Sequence, residues 1–189
     1  MKKLALVLAL VLCCSVLLVP TAMAEEVVNV YNWYDYMDER VFDLFYQETG
    51  IKVNCMYFTT NEDMMVQVRV SPGAYDVVFP SDYCVERMIE EGLLAEINFD
   101  NVPHFKYILD NLKNPDYDPE NKYSVPFMWG TVGILYNTTK VDEPVDSWGI
   151  LWDEKYAKEI FMLDSIRDTM GLTLKYLGYS MNTRDPQQL

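Results

Sequence analysis

From Glu25 onward, short runs of β-branched and aromatic residues alternate with stretches whose apolar positions recur at helical spacing. Val27 to Tyr31 reads as a first strand. Asp38-Glu39-Arg40 opens a helix with Val41, Phe42, Leu44 and Phe45 on one stripe; Gly50 ends it, and Asp38 is better read as its N-cap than as a ligand residue. Ile51 to Phe58 is the second strand. A helix from about Asn61 carries Met64, Met65 and Val68, and Ser71-Pro72-Gly73 stops it. Tyr75 to Phe79 is the third strand, and Ser81 is the N-cap of a helix that runs to Gly92. Three successive strand–helix pairs predict a parallel sheet covered by helices, an α/β fold.

The rest of the chain is less regular. Asn101 to Lys122 is a polar connector punctuated by Pro103, Pro115 and Pro119. Lys122 to Phe127 and Thr131 to Tyr136 read as extended runs joined through Trp129-Gly130. Asn137 to Asp146 reads as a crossing between lobes. Ser147 to Tyr156 suggests a short helix, with Trp148 and Trp152 as core residues. Phe161-Met162-Leu163 reads as a strand, and Asp168 to Leu177 as a helix ending at Gly178. Asp185-Pro186 looks like an N-cap followed by proline in the first helical position.

The first 24 residues differ from the rest. Lys2 and Lys3 precede an apolar core from Leu4 to Val19, and Ala22-Met23-Ala24 supplies a small-residue cleavage site. The apolar run falls short of the roughly 20 residues that a membrane span prefers, so the segment is expected to be a secretory signal. Export places Cys55 and Cys84 in an oxidising setting, but nothing in the pattern brings them within bridging distance, and two free thiols are expected.

Charge then narrows the function. The chain carries 15 Lys+Arg against 29 Asp+Glu, a net charge of −14. Without residues 1–24, which hold two lysines and no acid, 13 bases face 29 acids over 165 residues, a net charge of −16. Such a balance argues against nucleic acid or an anionic membrane as partner and suits a cationic ligand. A single histidine, His104, excludes sites built from several histidines. No nucleophile elbow, zinc-protease helix, phosphate loop or dinucleotide glycine set is present, so neither an enzyme nor a cofactor is expected.

Ligands of parallel sheets bind beyond the carboxyl ends of the strands. After the first strand stands Asn32-Trp33-Tyr34-Asp35-Tyr36-Met37-Asp38, and after the third Pro80-Ser81-Asp82-Tyr83. Trp129 sits in a strand connection, and Asp164 to Asp168 follows the Phe161 run. The candidate site residues are therefore Trp33, Tyr34, Asp35, Tyr36, Ser81, Asp82, Tyr83, Trp129, Asp164 and Asp168. Carboxylates hold ammonium groups through charge-assisted hydrogen bonds, and aromatic faces hold them through the ring quadrupole. Four buried methylenes of a flexible diamine add about 3 kcal/mol, each cation–π contact about 0.5–2, and micromolar binding needs only about 8. The same residues also have plainer uses: aromatics at strand ends pack, Asp82 complements a helix dipole, and Asp164 with Asp168 forms a capping and dipole pair. A receptor for another cation or for Fe(III), and an exported hydrolase working through acid pairs, remain alternatives.

At these residues the chain resembles the spermidine/putrescine-binding proteins of bacterial polyamine ABC importers. The resemblance rests on Val30-Tyr31-Asn32-Trp33 with Tyr36, Glu48 to Val53, and Gly73 to Val78 through Pro80-Ser81-Asp82-Tyr83. It continues through Tyr123 to Gly130, Asp164 to Asp168 and Leu177-Gly178-Tyr179-Ser180 with Asn182-Thr183. It implies a periplasmic-binding-protein type II-like fold, in which two α/β lobes close on a polyamine in the cleft. It implies a signal at 1–24, a first lobe over 25–137, and a hinge crossing with the start of a second lobe over 138–189. Trp33, Tyr36, Ser81 and Tyr83 fall on family site positions, with Asp168 as the second-lobe carboxylate. Tyr34 stands where some relatives have a small hydroxyl residue, and Ser165 where the family often has an acid. The implied partners are a polyamine and the importer's membrane permease subunits, with the protein a secreted monomer in the periplasm or on the outer face of the cytoplasmic membrane. Family members are much longer, which implies an N-terminal fragment with an unpaired sheet edge and exposed apolar surface, one that alone binds polyamines poorly.

Overall fold

The computed structural model of the protein describes residues 25–189; the expected signal at 1–24 lies outside them. The described chain forms two compact units. One holds the residues up to Tyr57 together with Gly73–Phe79; the other holds Phe58–Pro72 together with Pro80–Leu189.

In the first unit, strand β1 (Val27–Trp33) is followed by helix α1 (Arg40–Thr49), strand β2 (Lys52–Phe58, whose last residue falls to the second unit) and the short strand β3 (Val77–Val78). The sheet order is β2-β1-β3, and β1 runs parallel to β3 with Val30 opposite Val77 and Tyr31 opposite Val78. The third strand is shorter than the Tyr75–Phe79 run. Its flanks still pair, since Asp76 N donates to Asn29 O at 2.9 Å and Phe79 N donates to Tyr31 O at 3.0 Å. Central β1 buries Val30, Tyr31 and Asn32. Gly50 ends α1 in the left-handed conformation at φ 72°, which a Cβ would penalise, and its N–H closes on Tyr46 O at 2.8 Å. The N-cap position belongs to Glu39 rather than Asp38; Asp38 instead accepts from the Arg40 backbone and guanidinium. The apolar stripe of α1 stays exposed at Val41, Leu44 and Phe45.

The second unit contains helices α2 (Asn61–Val70), α3 (Asp82–Glu90) and α4 (Ile166–Tyr176), with single turns of helix between the last two. Thr60 caps α2 by accepting from Asp63 N. The core of this unit includes Met64, Met65 and Val68 of α2 and Cys84, Val85 and Met88 of α3. Arg69 forks onto both carboxylate oxygens of Glu91 at 2.7 and 2.8 Å, tying the end of α2 to the end of α3. Ser165 caps α4 by accepting from Asp168 N at 3.3 Å. Among the described residues Cys55 and Cys84 are both free, Cys84 buried and Cys55 half-buried.

Two groups of expected elements do not form. Lys122–Phe127, Thr131–Tyr136 and Phe161–Leu163 carry no strand among the described residues. A strand needs a ladder partner, and Pro126, Gly130 and Gly133 each weaken a ladder; the Leu163 carbonyl instead accepts from Thr169 Oγ1 at 3.0 Å. Trp148 and Trp152 are not core. Trp152 lies 43% exposed and stacks face to face on Tyr176, with centroids 4.4 Å apart.

The connector that composition marked only as polar holds the densest polar knot of the described chain. Asp118, 3% exposed, accepts from the backbone N–H groups of Lys122, Tyr123 and Ser124 and from the Ser124 hydroxyl. Buried Asn121, at φ 48°, accepts from Asn114 N at 2.6 Å and donates to Ser124 O.

Candidate functional site

The end of β1 builds an aromatic platform. Asp35 adopts φ 62°, a left-handed conformation that Asp tolerates better than most residues, and the chain reverses there. The turn brings Tyr36 back onto Trp33, with ring centroids 5.7 Å apart and planes 29° from parallel. Trp33 is half-buried, while Tyr36 is 45% exposed, so ring surface remains open to solvent. Tyr34 meets Tyr57 edge to face, with ring centroids 5.6 Å apart. Next to Trp33 in the strand, Asn32 is fully buried; its Oδ1 accepts from Trp33 N at 2.8 Å, and its Nδ2 has no partner among the described residues.

In the second unit, Ser81 and Tyr83 are brought together by a residue that composition did not single out. Asn61 Nδ2 donates to Ser81 Oγ and to Tyr83 Oη, both at 2.9 Å, while Asn61 Oδ1 accepts from Ser81 N at 3.1 Å. One buried amide therefore orients both hydroxyls, and Ser81, though in the N-cap position of α3, makes no side-chain cap. Asp82 Oδ1 accepts from Tyr83 N at 2.7 Å at the start of that helix. Burial is the main cause that pushes the Tyr83 phenol up to about 12, with the neighbouring Cys84 and Glu62 adding to it. Burial likewise pushes the Cys84 thiol up to about 11.

The face of the Tyr83 ring carries a guanidinium: Arg167 Cζ lies 4.6 Å from the ring centroid. Asp164 and Asp168 flank Arg167 in sequence. Among the described residues, neither of their carboxylates makes a hydrogen bond or ion pair; Asp168 contributes only its backbone N–H, to Ser165. Trp129 is 75% exposed in an irregular segment. The structure thus joins Trp33 to Tyr36 and Ser81 to Tyr83. It adds Asn61 and Arg167, whose partners are remote in sequence and leave no local signal.

A family model described as bacterial extracellular solute-binding protein matches residues 41–189. The spermidine/putrescine-binding periplasmic protein of Escherichia coli (strain K12) is 36% identical over 161 residues, covering 84% of this chain and 46% of its own length. Among solved structures, a putative spermidine/putrescine ABC transporter protein from Listeria monocytogenes aligns with TM-score 0.82 at 37% identity, over 86% of this chain and 51% of that one. A lipoprotein of Treponema pallidum aligns with TM-score 0.81 at 31% identity, over the same share of each chain. The chain spans about half the length of the curated relatives it matches. The α/β fold expected from the strand–helix alternation is that of these neighbours, about half of whose length the chain matches.

Proposed function

The chain belongs to the bacterial extracellular solute-binding proteins, and from that premise we propose that its parent captures polyamines outside the cytoplasm and delivers them to an ABC importer. The observation that carries the proposal is the Trp33–Tyr36 platform, a stacked and partly exposed ring pair at the carboxyl end of the central strand. Open ring faces attract ammonium groups and cover the methylenes between them. The carboxylates of Asp164 and Asp168, unengaged among the described residues, supply the anionic partner that an ammonium needs, and the net charge of −14 favours a cation over an anion. Relatives named as spermidine/putrescine-binding and putrescine-binding periplasmic proteins match most of this chain, which supports a polyamine over other cations.

In this reading Trp33 and Tyr36 stack on the amine chain, Ser81 and Tyr83 offer oriented hydroxyls, and Asp168 pairs with a terminal ammonium. Tyr34, Asp35, Asp82, Trp129 and Asp164 contribute at the margins. Residues 25–137 form the first lobe and 138–189 open the second, and the importer's membrane permease is the partner. No helix of the described residues is long and apolar enough to cross a membrane. Thermal-shift screening of the full-length parent provides the test. Putrescine or spermidine is expected to raise its melting temperature where magnesium, ferric citrate and neutral amino acids do not. Stabilisation by ferric ion, with none by any polyamine, would replace this reading with the metal alternative.

A further inference from the structure

Arg167 lies between two aspartates in sequence, in a strongly acidic chain, yet its guanidinium rests on a ring rather than on a carboxylate. Among the described residues it forms no ion pair. The ring it covers is held in place from the other end, because buried Asn61 donates to the Tyr83 hydroxyl. An aromatic face accommodates one cation at a time, and an arginine is charged at every accessible pH.

We infer that Arg167 is a resident cation on the Tyr83 face, a specificity-determining residue that an incoming ammonium group has to displace. The inference rests on the polyamine reading and deepens it. With the face already occupied, a cation gains from Tyr83 only the difference between its own attraction and that of the guanidinium. A weak or singly charged amine gains little from the exchange. A di- or polyamine that also reaches a carboxylate has a second contact to offset the displacement. Arg167 thus screens the site against small monovalent cations without touching the ligand, and the residue is exposed to solvent.

Calorimetry on the full-length parent at low salt tests this with putrescine as the probe. Arg167→Gln removes the cation, Arg167→Lys keeps the charge with a poorer fit to the ring, and Tyr83→Leu removes the ring. Arg167→Gln is expected to tighten putrescine binding by about threefold or more, the range an exposed cation–π contact supports. Arg167→Lys is expected to fall between Arg167→Gln and wild type. In the Tyr83→Leu background, Arg167→Gln should change affinity by less than about half of that gain, since the seat of the competition is gone. Unchanged or weaker binding by Arg167→Gln overturns the inference while leaving polyamine capture standing. A gain that persists without the ring also overturns it, by assigning the effect to simple charge repulsion. Absence of putrescine and spermidine binding in wild type and variant alike overturns the polyamine reading, and the inference with it.

Discussion

Asn61 Nδ2 donates to Tyr83 Oη at 2.9 Å, and the same amide nitrogen reaches Ser81 Oγ. A single buried side chain at the start of α2 therefore sets the direction of two hydroxyls at the start of α3. Asn61→Leu leaves the two hydroxyls and the Ser81 N–H without their partner. The expected loss is about 1–3 kcal/mol of stability, read from urea unfolding. Ligand affinity should fall as well, because the Tyr83 ring is no longer held.

A second prediction concerns alkaline pH. Cys84 titrates near 9.0 and Tyr83 near 10.0 when unperturbed, but the fold raises them to about 11 and about 12. The fold therefore favours their neutral forms. Their stabilising contribution is complete below pH 9 and is lost as pH rises through the folded values. Urea midpoints should decline steadily from about pH 9 upward. Cys84→Ala should remove the earlier part of that decline, and a midpoint flat to about pH 11 in the wild type would contradict the burial of these groups.

At the acidic end, Glu91 behaves in the opposite sense. Arg69 first, and then Arg87, hold its carboxyl down at about 2 against an ordinary value of 4.5. The α2–α3 tie is thus fully present above pH 4.5 and lost as pH falls toward 2. Glu91→Gln should be less stable than wild type at about pH 6, and the difference should vanish near about pH 2. An equal difference at both pH values would show that charge plays no part in it.

Asp118 gives the clearest substitution outside the ligand-binding residues. Its buried carboxylate receives three backbone N–H groups and one hydroxyl from a single loop. An amide in place of the carboxylate would turn an N–H₂ group toward some of those donors. Asp118→Asn is expected to lower stability by about 1–3 kcal/mol and to speed amide exchange at Lys122, Tyr123 and Ser124. Unchanged exchange at those three amides would show that the carboxylate does not hold the loop.

The parts of the fold visible in the sequence are those governed by local rules. Val27–Tyr31, the helix that Gly50 ends and the helix beginning at Asn61 each carry their own period and their own stop signal, and each forms close to its expected place. The runs at Lys122–Phe127 and Phe161–Leu163 have apolar composition but no nearby pairing partner, and composition alone cannot supply one. The site divides in the same way. Trp33 and Tyr36 are three residues apart and one turn of positive φ joins them, so their cluster is legible in the sequence. Asn61 on Ser81 and Tyr83, and Arg167 on the Tyr83 ring, join residues that only tertiary structure brings together.

The role of the Trp33–Tyr36 platform and of Asp168 is tested most directly by calorimetry on the full-length parent with putrescine and spermidine. One-to-one binding in the micromolar range or tighter is expected. Trp33→Ala and Asp168→Asn should each weaken it by about tenfold or more, in line with the loss of a ring contact or a charge-assisted hydrogen bond. Absence of binding to either polyamine, or unchanged affinity in both variants, would contradict that role.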